Sequence, residues 1–137
     1  MNKKLLRDVM ARGAMTRGVK TISINETCKH TAKLLAENDI SGVCVIGDDG
    51  KAVGVISEMD ILRVIGMENW ENKTAESIMT SNLEIVEPTT TLIEAANIMG
   101  KRHVHRLLIL SEGGIGMSQK PIGILCSSDI VREAARD

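Results

Sequence analysis

Two kinds of hydrophobic spacing alternate along the chain. Val43–Ile46, Val53–Ile56, Leu107–Leu110 and Ile122–Leu125 are short continuous apolar runs, the pattern of strands buried on both faces. Asp48-Asp49-Gly50 separates the first two, which is hairpin chemistry in which the glycine is free to take a positive φ. Val19–Ile24 and Leu83–Glu87 read as shorter strands further upstream. After each of them the spacing changes to that of a helix. Leu92, Ala95, Ala96 and Met99 fall at i, i+3, i+4 and i+7 on one face, and Cys28, Thr31, Ala32 and Leu35 hold the same places earlier in the chain. Thr91 with Glu94 three residues later predicts a capping box. A second helix follows each strand pair, over Glu58–Ile65 ending at Gly66 and over Ser128–Ala135. The order of elements is β-α-β-β-α, twice.

The two halves are copies. A shift of 64 residues carries Met15-Thr16 onto Met79-Thr80, Thr27 onto Thr91, Ala32 onto Ala96 and Gly50 onto Gly114. Five extra residues, Ile115–Gln119, then raise the shift to 69, which brings Gly54 to Gly123, Asp60 to Asp129 and Arg63 to Arg132. An insertion in a glycine-rich turn is where a fold tolerates one. One repeat of this size buries too little surface to be comfortable alone. The expectation is an α/β (α+β) protein of two tandem repeats packed sheet to sheet with pseudo-two-fold symmetry. The expected divisions are a lead-in helix over 1–14, one repeat over 15–66, a linker and short helix over 67–78, and a second repeat over 79–137. Trp70, in the polar linker, is expected to fill a gap between the repeats.

Composition narrows the function. Apolar residues make up 43% of the 137, and the formal net charge is -1. That charge supplies no field to draw in nucleic acid or an anionic membrane. Trp70 is the sole aromatic residue, so a base cannot be held by aromatic stacking and must lie between aliphatic side chains and backbone. No apolar run approaches the ~20 residues of a membrane span and no secretory leader is visible, so a cytoplasmic location is expected. Cys28, Cys44 and Cys126 are widely spaced with no C-x-x-C, which argues against a disulfide framework or structural zinc. His103 and His105 form an H-x-H without an evident third ligand, and no metal site is expected.

The stretches Gly54-Val-Ile-Ser57-Glu-Met-Asp60-Ile-Leu and Gly123-Ile-Leu-Cys126-Ser-Ser-Asp129-Ile-Val resemble the G-h-h-[ST]-x-x-D-[IL] signature of CBS domains, named for cystathionine β-synthase. Ile40-Ser-Gly-Val-Cys-Val-Ile and Val104-His-Arg-Leu-Leu-Ile-Leu resemble the second strand of that family. Asp8-Val-Met10 and Ser77-Ile-Met79 resemble its short lead-in, and either Met10 or Met15 can correspond to Met79. The resemblance implies a stand-alone CBS pair, or Bateman module. Such a pair has no catalytic activity or cofactor of its own. It binds AMP, ADP, ATP or S-adenosylmethionine, forms a homodimer through its helices into a flat disc, and reports to an effector protein that the sequence does not identify.

In that family the signature aspartate grips the ribose, a role that passes here to Asp60 and Asp129. The local chemistry agrees: Ser57 reads as a helix N-cap with Asp60 three residues on, near the positive end of the helix dipole. Cys126 replaces the usual hydroxyl in the second copy, and Ser128 resembles family serines that contact phosphate. The family assembles its clefts crosswise. Asp129 would then face Thr16, Val19, Thr21, Ile40 and Ser41, and Asp60 would face Thr80, Leu83, Ile85, Val104 and Arg106. Lys101 to Arg106 is the densest basic cluster. Its plain reading is a solvated helix end, but Arg106 can fork onto phosphate and His105 can add a donor. With Ser57 as hydroxyl cap and Arg106 in reach, the Asp60 side is expected to fill first.

Three other readings stand beside this one. A dimeric scaffold without ligand is motivated by Cys126. A nucleic-acid binder would use the basic cluster, against the net charge and the missing aromatics. An enzyme would need Cys126 or Ser57 as nucleophile, and neither has a visible activating base.

Overall fold

The computed structural model describes residues 6–111 and 120–136, and of Arg17 the backbone alone. The predicted insertion Ile115–Gln119 and its preceding Gly114 lie outside the described residues. The chain divides into two compact units. One is Lys20–Leu83; the other combines the described residues up to Val19 with those from Glu84 onward.

The Lys20–Leu83 unit carries β2 (Thr21–Ser23), α2 (Cys28–Asn38), β3 (Gly42–Ile46), β4 (Ala52–Ser57), α3 (Glu58–Val64), a 3-10 turn at Trp70–Asn72 and α4 (Ala75–Ile78). Its sheet has the order β2-β3-β4. β2 pairs with β3 in parallel, Thr21 opposite Cys44, which requires the α2 crossover between them. β3 and β4 form the predicted hairpin, Gly42 opposite Ser57. At its tip the Gly50 N–H donates to the Gly47 carbonyl at 3.0 Å, with φ +83° at Gly50.

The other unit repeats the plan with α1 (Ala11–Ala14), β1 (Thr16–Arg17), β5 (Ile85–Val86), α5 (Leu92–Arg102), β6 (Arg106–Leu110), β7 (Pro121–Cys126) and α6 (Ser127–Ala134). Its sheet has the order β1-β7-β6-β5. The long apolar runs lie where the pattern places them. Val43, Cys44 and Val45 on β3, and Leu107, Leu108 and Ile109 on β6, are all buried. The predicted faces of α2 and α5 point into their cores, around Cys28 and Leu35 in one unit and Leu92, Ala95 and Met99 in the other.

The short strands are shorter than the pattern predicts, Thr21–Ser23 and Ile85–Val86. Each has one ladder partner among the described residues, and Pro88 follows β5 without an N–H to extend it. The capping box at Thr91 also differs from expectation. The Thr91 hydroxyl oxygen accepts from the Glu94 N–H at 3.2 Å as predicted, but the Glu94 carboxylate accepts from the Thr91 hydroxyl at 3.1 Å instead of from the Thr91 N–H. Trp70 is half-buried in the Lys20–Leu83 unit. It packs on the core of the Lys20–Leu83 unit, with the Lys29 ammonium 5.6 Å from its ring centroid.

Each repeat is completed by a lead-in segment from the other. Ala11 N–H donates to the Thr90 carbonyl and Leu92 N–H to the Val9 carbonyl, at 2.7 and 2.9 Å. In the same way Ala75 N–H donates to Glu26 and Cys28 N–H to Lys73, both at 2.7 Å. Thr16 then lies opposite Ile124, and Thr80 opposite Val55. The equivalence settles which methionine matches Met79. Met15 packs over Gly123 as Met79 packs over Gly54, so Met15 is the counterpart and Asp8-Val-Met10 precedes the matching segment.

Candidate functional site

Each second helix begins at the end of a hairpin strand, so the strand-to-helix turn aims an aspartate back at its own N-cap. Asp60 is 4% exposed and its carboxylate collects four donors. Oδ2 accepts from the Ser57 N–H at 2.8 Å and the Ser57 hydroxyl at 3.1 Å. Oδ1 accepts from Arg63 Nη1 at 2.7 Å and the Thr80 hydroxyl at 3.1 Å. Burying a carboxylate is costly unless it is satisfied in this way. Asp129 is 8% exposed and is held more sparsely. Its Oδ2 accepts from the Cys126 N–H at 2.8 Å and its Oδ1 from Arg132 Nη1 at 3.1 Å.

Within the Lys20–Leu83 unit the structure thus brings Ser57, Asp60 and Thr80 together. Leu83, Ile40 and Ser41 are half-buried in that unit and Thr21 is exposed on β2. In the other unit Ile85 and Thr16 are exposed, and Val19 and Val104 are half-buried. Ser128 is exposed on the first turn of α6. His105 is exposed too, and its carbonyl accepts from the Ser127 N–H at 2.9 Å, which ties the start of β6 to the start of α6. No hydrogen bond among the described residues joins Thr16 to Asp129.

Arg106 opens β6 directly opposite Cys126. Its Nε is buried and has no hydrogen-bond partner among the described residues. A guanidinium nitrogen in that state costs free energy until an acceptor is supplied. The rest of the basic cluster behaves as a solvated helix end. Lys101, Arg102 and His103 are exposed, and Arg102 sits 3.7 Å from Glu84. His103 takes the left-handed C-cap position of α5 with φ 55°, as Asp39 does for α2 with φ 51°.

Arg63 and Arg132 have no assigned role in the sequence reading, although the 69-residue shift carries one onto the other. The available signal was their spacing: three residues after a helical aspartate puts a cation beside it. Among the described residues no three potential metal ligands cluster. No helix among them is long and apolar enough to cross a membrane. Burial pushes the Cys44 thiol up to about 11. Burial also raises the Cys28 thiol, against a smaller opposing pull from Lys73.

Comparison with known proteins accounts for the repeated turn. The sequence profile of the CBS domain family matches residues 6–66 and again 75–136. An uncharacterised protein of Methanocaldococcus jannaschii is 37% identical over 114 residues, covering 83% of this chain. The chain spans only 36% of that relative's length. An uncharacterised conserved protein from Pyrococcus horikoshii has the same fold, with a TM-score of 0.78, 27% identity, and coverage of 100% of this chain and 97% of its own. A CBS domain pair solved in complex with 5′-methylthioadenosine and S-adenosyl-L-methionine superposes with a TM-score of 0.77 at 24% identity, covering 90% of this chain and 94% of its own. With both repeats matched by the profile and the β-α-β-β-α plan present twice, the chain belongs to the CBS domain family.

Proposed function

We propose that the chain is a ligand-sensing regulatory module that binds an adenine nucleotide (AMP, ADP or ATP) or S-adenosylmethionine in clefts assembled crosswise between its two repeats. Arg106 carries the reading: a buried guanidinium nitrogen without an acceptor among the described residues, beside a turn built on a buried aspartate, is suited to an anionic ligand. Under this reading Asp129 works with Thr16, Val19, Thr21, Ile40, Ser41 and Ser128. Asp60 works with Ser57, Thr80, Leu83, Ile85, Val104, His105 and Arg106. The complex of a same-fold CBS pair with two adenosine-containing compounds supports the ligand class. Titration calorimetry with the four ligands tests it. Arg106→Ala is expected to weaken a phosphate-bearing ligand by about tenfold or more, the value of a charge-assisted hydrogen bond. Failure of all four to bind, or indifference to Arg106→Ala, refutes it.

We further propose a homodimer formed through the helices. On and just beyond α3, Met59, Leu62, Ile65 and Met67 are all about half exposed, and Leu62 with Ile61 and Glu58 lines a groove of about 290 Å³ against Ala32, Leu35 and Ile40 on the α2 side. Large apolar side chains grouped in this way mark an interaction surface. The same face supports the alternative reading, a dimeric scaffold without ligand. Leu62→Glu should convert a dimer to a monomer in sedimentation under either reading. Thermal shifts with the four ligands separate them, since a scaffold gives none.

A further inference from the structure

We infer that two copies of the chain meet crosswise: the α2–α3 groove of the Lys20–Leu83 unit receives the α5–α6 face of the other unit of a second copy. The inference rests on the homodimer proposed above and specifies which of its faces touch. The groove is lined by apolar Ala32, Leu35, Ile40, Ile61 and Leu62, and by two exposed carboxylates, Asp39 and Glu58. The repeat shifts of 64 and 69 residues carry this lining onto the other unit position by position. Its apolar members become Ala96, Met99, Val104, Ile130 and Val131, so the matching face is apolar too. Val131 is 66% exposed, as Leu62 is 57%. The charges do not repeat. Asp39 becomes His103 and Glu58 becomes Ser127, and the last turn of α5 carries Lys101 and Arg102, both exposed. Arg63 and Arg132 occupy matching places on both faces, each beside its own aspartate, and do not distinguish them.

This asymmetry decides between the two ways in which a symmetric pair can bring such faces together. Groove on groove sets Asp39 and Glu58 against the same two carboxylates of the second copy, and like charges facing each other across an interface cost affinity. Groove on the α5–α6 face sets them against a surface with no carboxylate in the matching places and with lysine, arginine and histidine at the adjoining helix end. Burial of Leu62 and Val131 is available in either arrangement. Apolar contact therefore supplies the affinity, and the two carboxylates choose the pairing.

Exchanging residues between the repeats tests the pairing. Each exchanged residue already occupies the matching backbone position, including the left-handed cap held by Asp39 in one repeat and His103 in the other. In sedimentation equilibrium, Asp39→His with Glu58→Ser is expected to weaken the dimer by about threefold or more. His103→Asp with Ser127→Glu should weaken it by about tenfold or more, because carboxylates then meet carboxylates. All four changes in one chain exchange the two faces and should return the dissociation constant to within about twofold of the parent. A dimer tightened by Asp39→His with Glu58→Ser overturns the inference, since the carboxylates would then face each other in the parent.

Cross-linking reads the pairing directly. Ala36→Cys and Gly100→Cys mark the two faces at exposed matching positions, and a Cβ on Gly100 meets nothing within 4 Å. The two single variants are mixed, treated with a short bis-maleimide, and the linked peptides mapped by mass spectrometry. The mixture should link position 36 of one copy to position 100 of the other, and neither variant alone should link to itself at the new cysteine. Self-linking in the separate variants, with no link between them in the mixture, overturns the inference and leaves the dimer standing. A parent chain that sediments as a monomer removes the dimer reading and the inference with it.

Discussion

Gly54 and Gly123 face the sharpest steric constraint in the fold. A Cβ on Gly54 would come within 2.8 Å of Met79 Cγ and 3.1 Å of Met79 Cβ. On Gly123 it would come within 2.9 Å of Met15 Cγ and 3.1 Å of the Thr16 carbonyl oxygen. The tip of a methionine can swing away and its Cγ can leave only by a change of χ1 rotamer, whereas its Cβ moves only with the backbone. That backbone is held, because Thr80 exchanges both hydrogen bonds with Val55 at 2.9 and 3.0 Å. Gly54→Ala therefore overpacks a clamped contact, at a cost of about 1–3 kcal/mol. Reduced freedom of the unfolded chain returns about 0.4–1 kcal/mol. The expected net loss is about 1–2 kcal/mol, or about 3–8 °C in Tm for a chain of this length.

Gly123→Ala should cost more than Gly54→Ala, because one of its opposing atoms is a backbone carbonyl rather than a side chain. The assay is thermal and urea unfolding followed by circular dichroism, with a double-mutant cycle. Met79→Ala removes the Cγ contact and leaves the Cβ one at 3.1 Å, so Gly54→Ala placed on that background should cost much less than in the parent. The coupling energy should be about 1–2 kcal/mol, in the range of residues in direct contact. Strict additivity of the two changes, or a Gly54→Ala variant that melts with the parent, would show that the methionine does not press on the glycine.

The caps give a second prediction: Thr27→Ala and Thr91→Ala, which remove the acceptors for the His30 and Glu94 N–H groups, should each cost about 1 kcal/mol in urea unfolding; a loss in neither would mean the two helices do not depend on these side chains. Cys44 makes stability depend on alkaline pH. Its folded pKa is raised from 9.0 to about 11, so the neutral thiol's contribution is fully present below about pH 9 and is lost as pH rises toward about 11; Cys44→Ala should flatten that decline, and an unchanged decline would assign it elsewhere. Trp70→Ala removes half-buried packing from the core that holds Ile22 and Ile61 and should cost about 2 kcal/mol, below the 3–5 kcal/mol of a fully buried tryptophan; a neutral result by chemical unfolding would show the ring to be a surface ornament.

Most of the fold was legible in the sequence because its signals are local. Continuous apolar runs separated by Asp48-Asp49-Gly50, the i, i+3, i+4, i+7 face from Leu92 to Met99, and the 64-residue shift each need only a short window or a self-comparison. The pairing of Thr16 with Ile124 and of Thr80 with Val55 was not legible, because it joins segments far apart in the chain and leaves no period behind. That is also why Met10 and Met15 could not be told apart: Asp8-Val-Met10 matches Ser77-Ile-Met79 by residue type, and only the seat over Gly123 decides for Met15. Of the candidate site, Asp60 and Asp129 were readable as carboxylates in the first turn of a helix, and their burial was not. How many donors each holds was not, since the Thr80 hydroxyl reaches Asp60 from 20 residues away.

The exchange of lead-ins ties the chemistry of the Asp60 turn to the construction of the unit. Thr80 reaches the carboxylate because Met79, one residue earlier, is seated on Gly54 and because both Thr80 backbone groups pair with Val55. The donor that closes Asp60 is thus carried by the same few residues that join the lead-in to the sheet. Loosening that seat, as Gly54→Ala does, should weaken the Thr80 bond and free acceptor capacity on Asp60 at a cost in stability. Thr16 occupies the matching place on β1, and no hydrogen bond among the described residues joins it to Asp129. Among the described residues the lead-in threonine bonds to the carboxylate at Asp60, so that turn's chemistry depends on a segment 20 residues away in the chain.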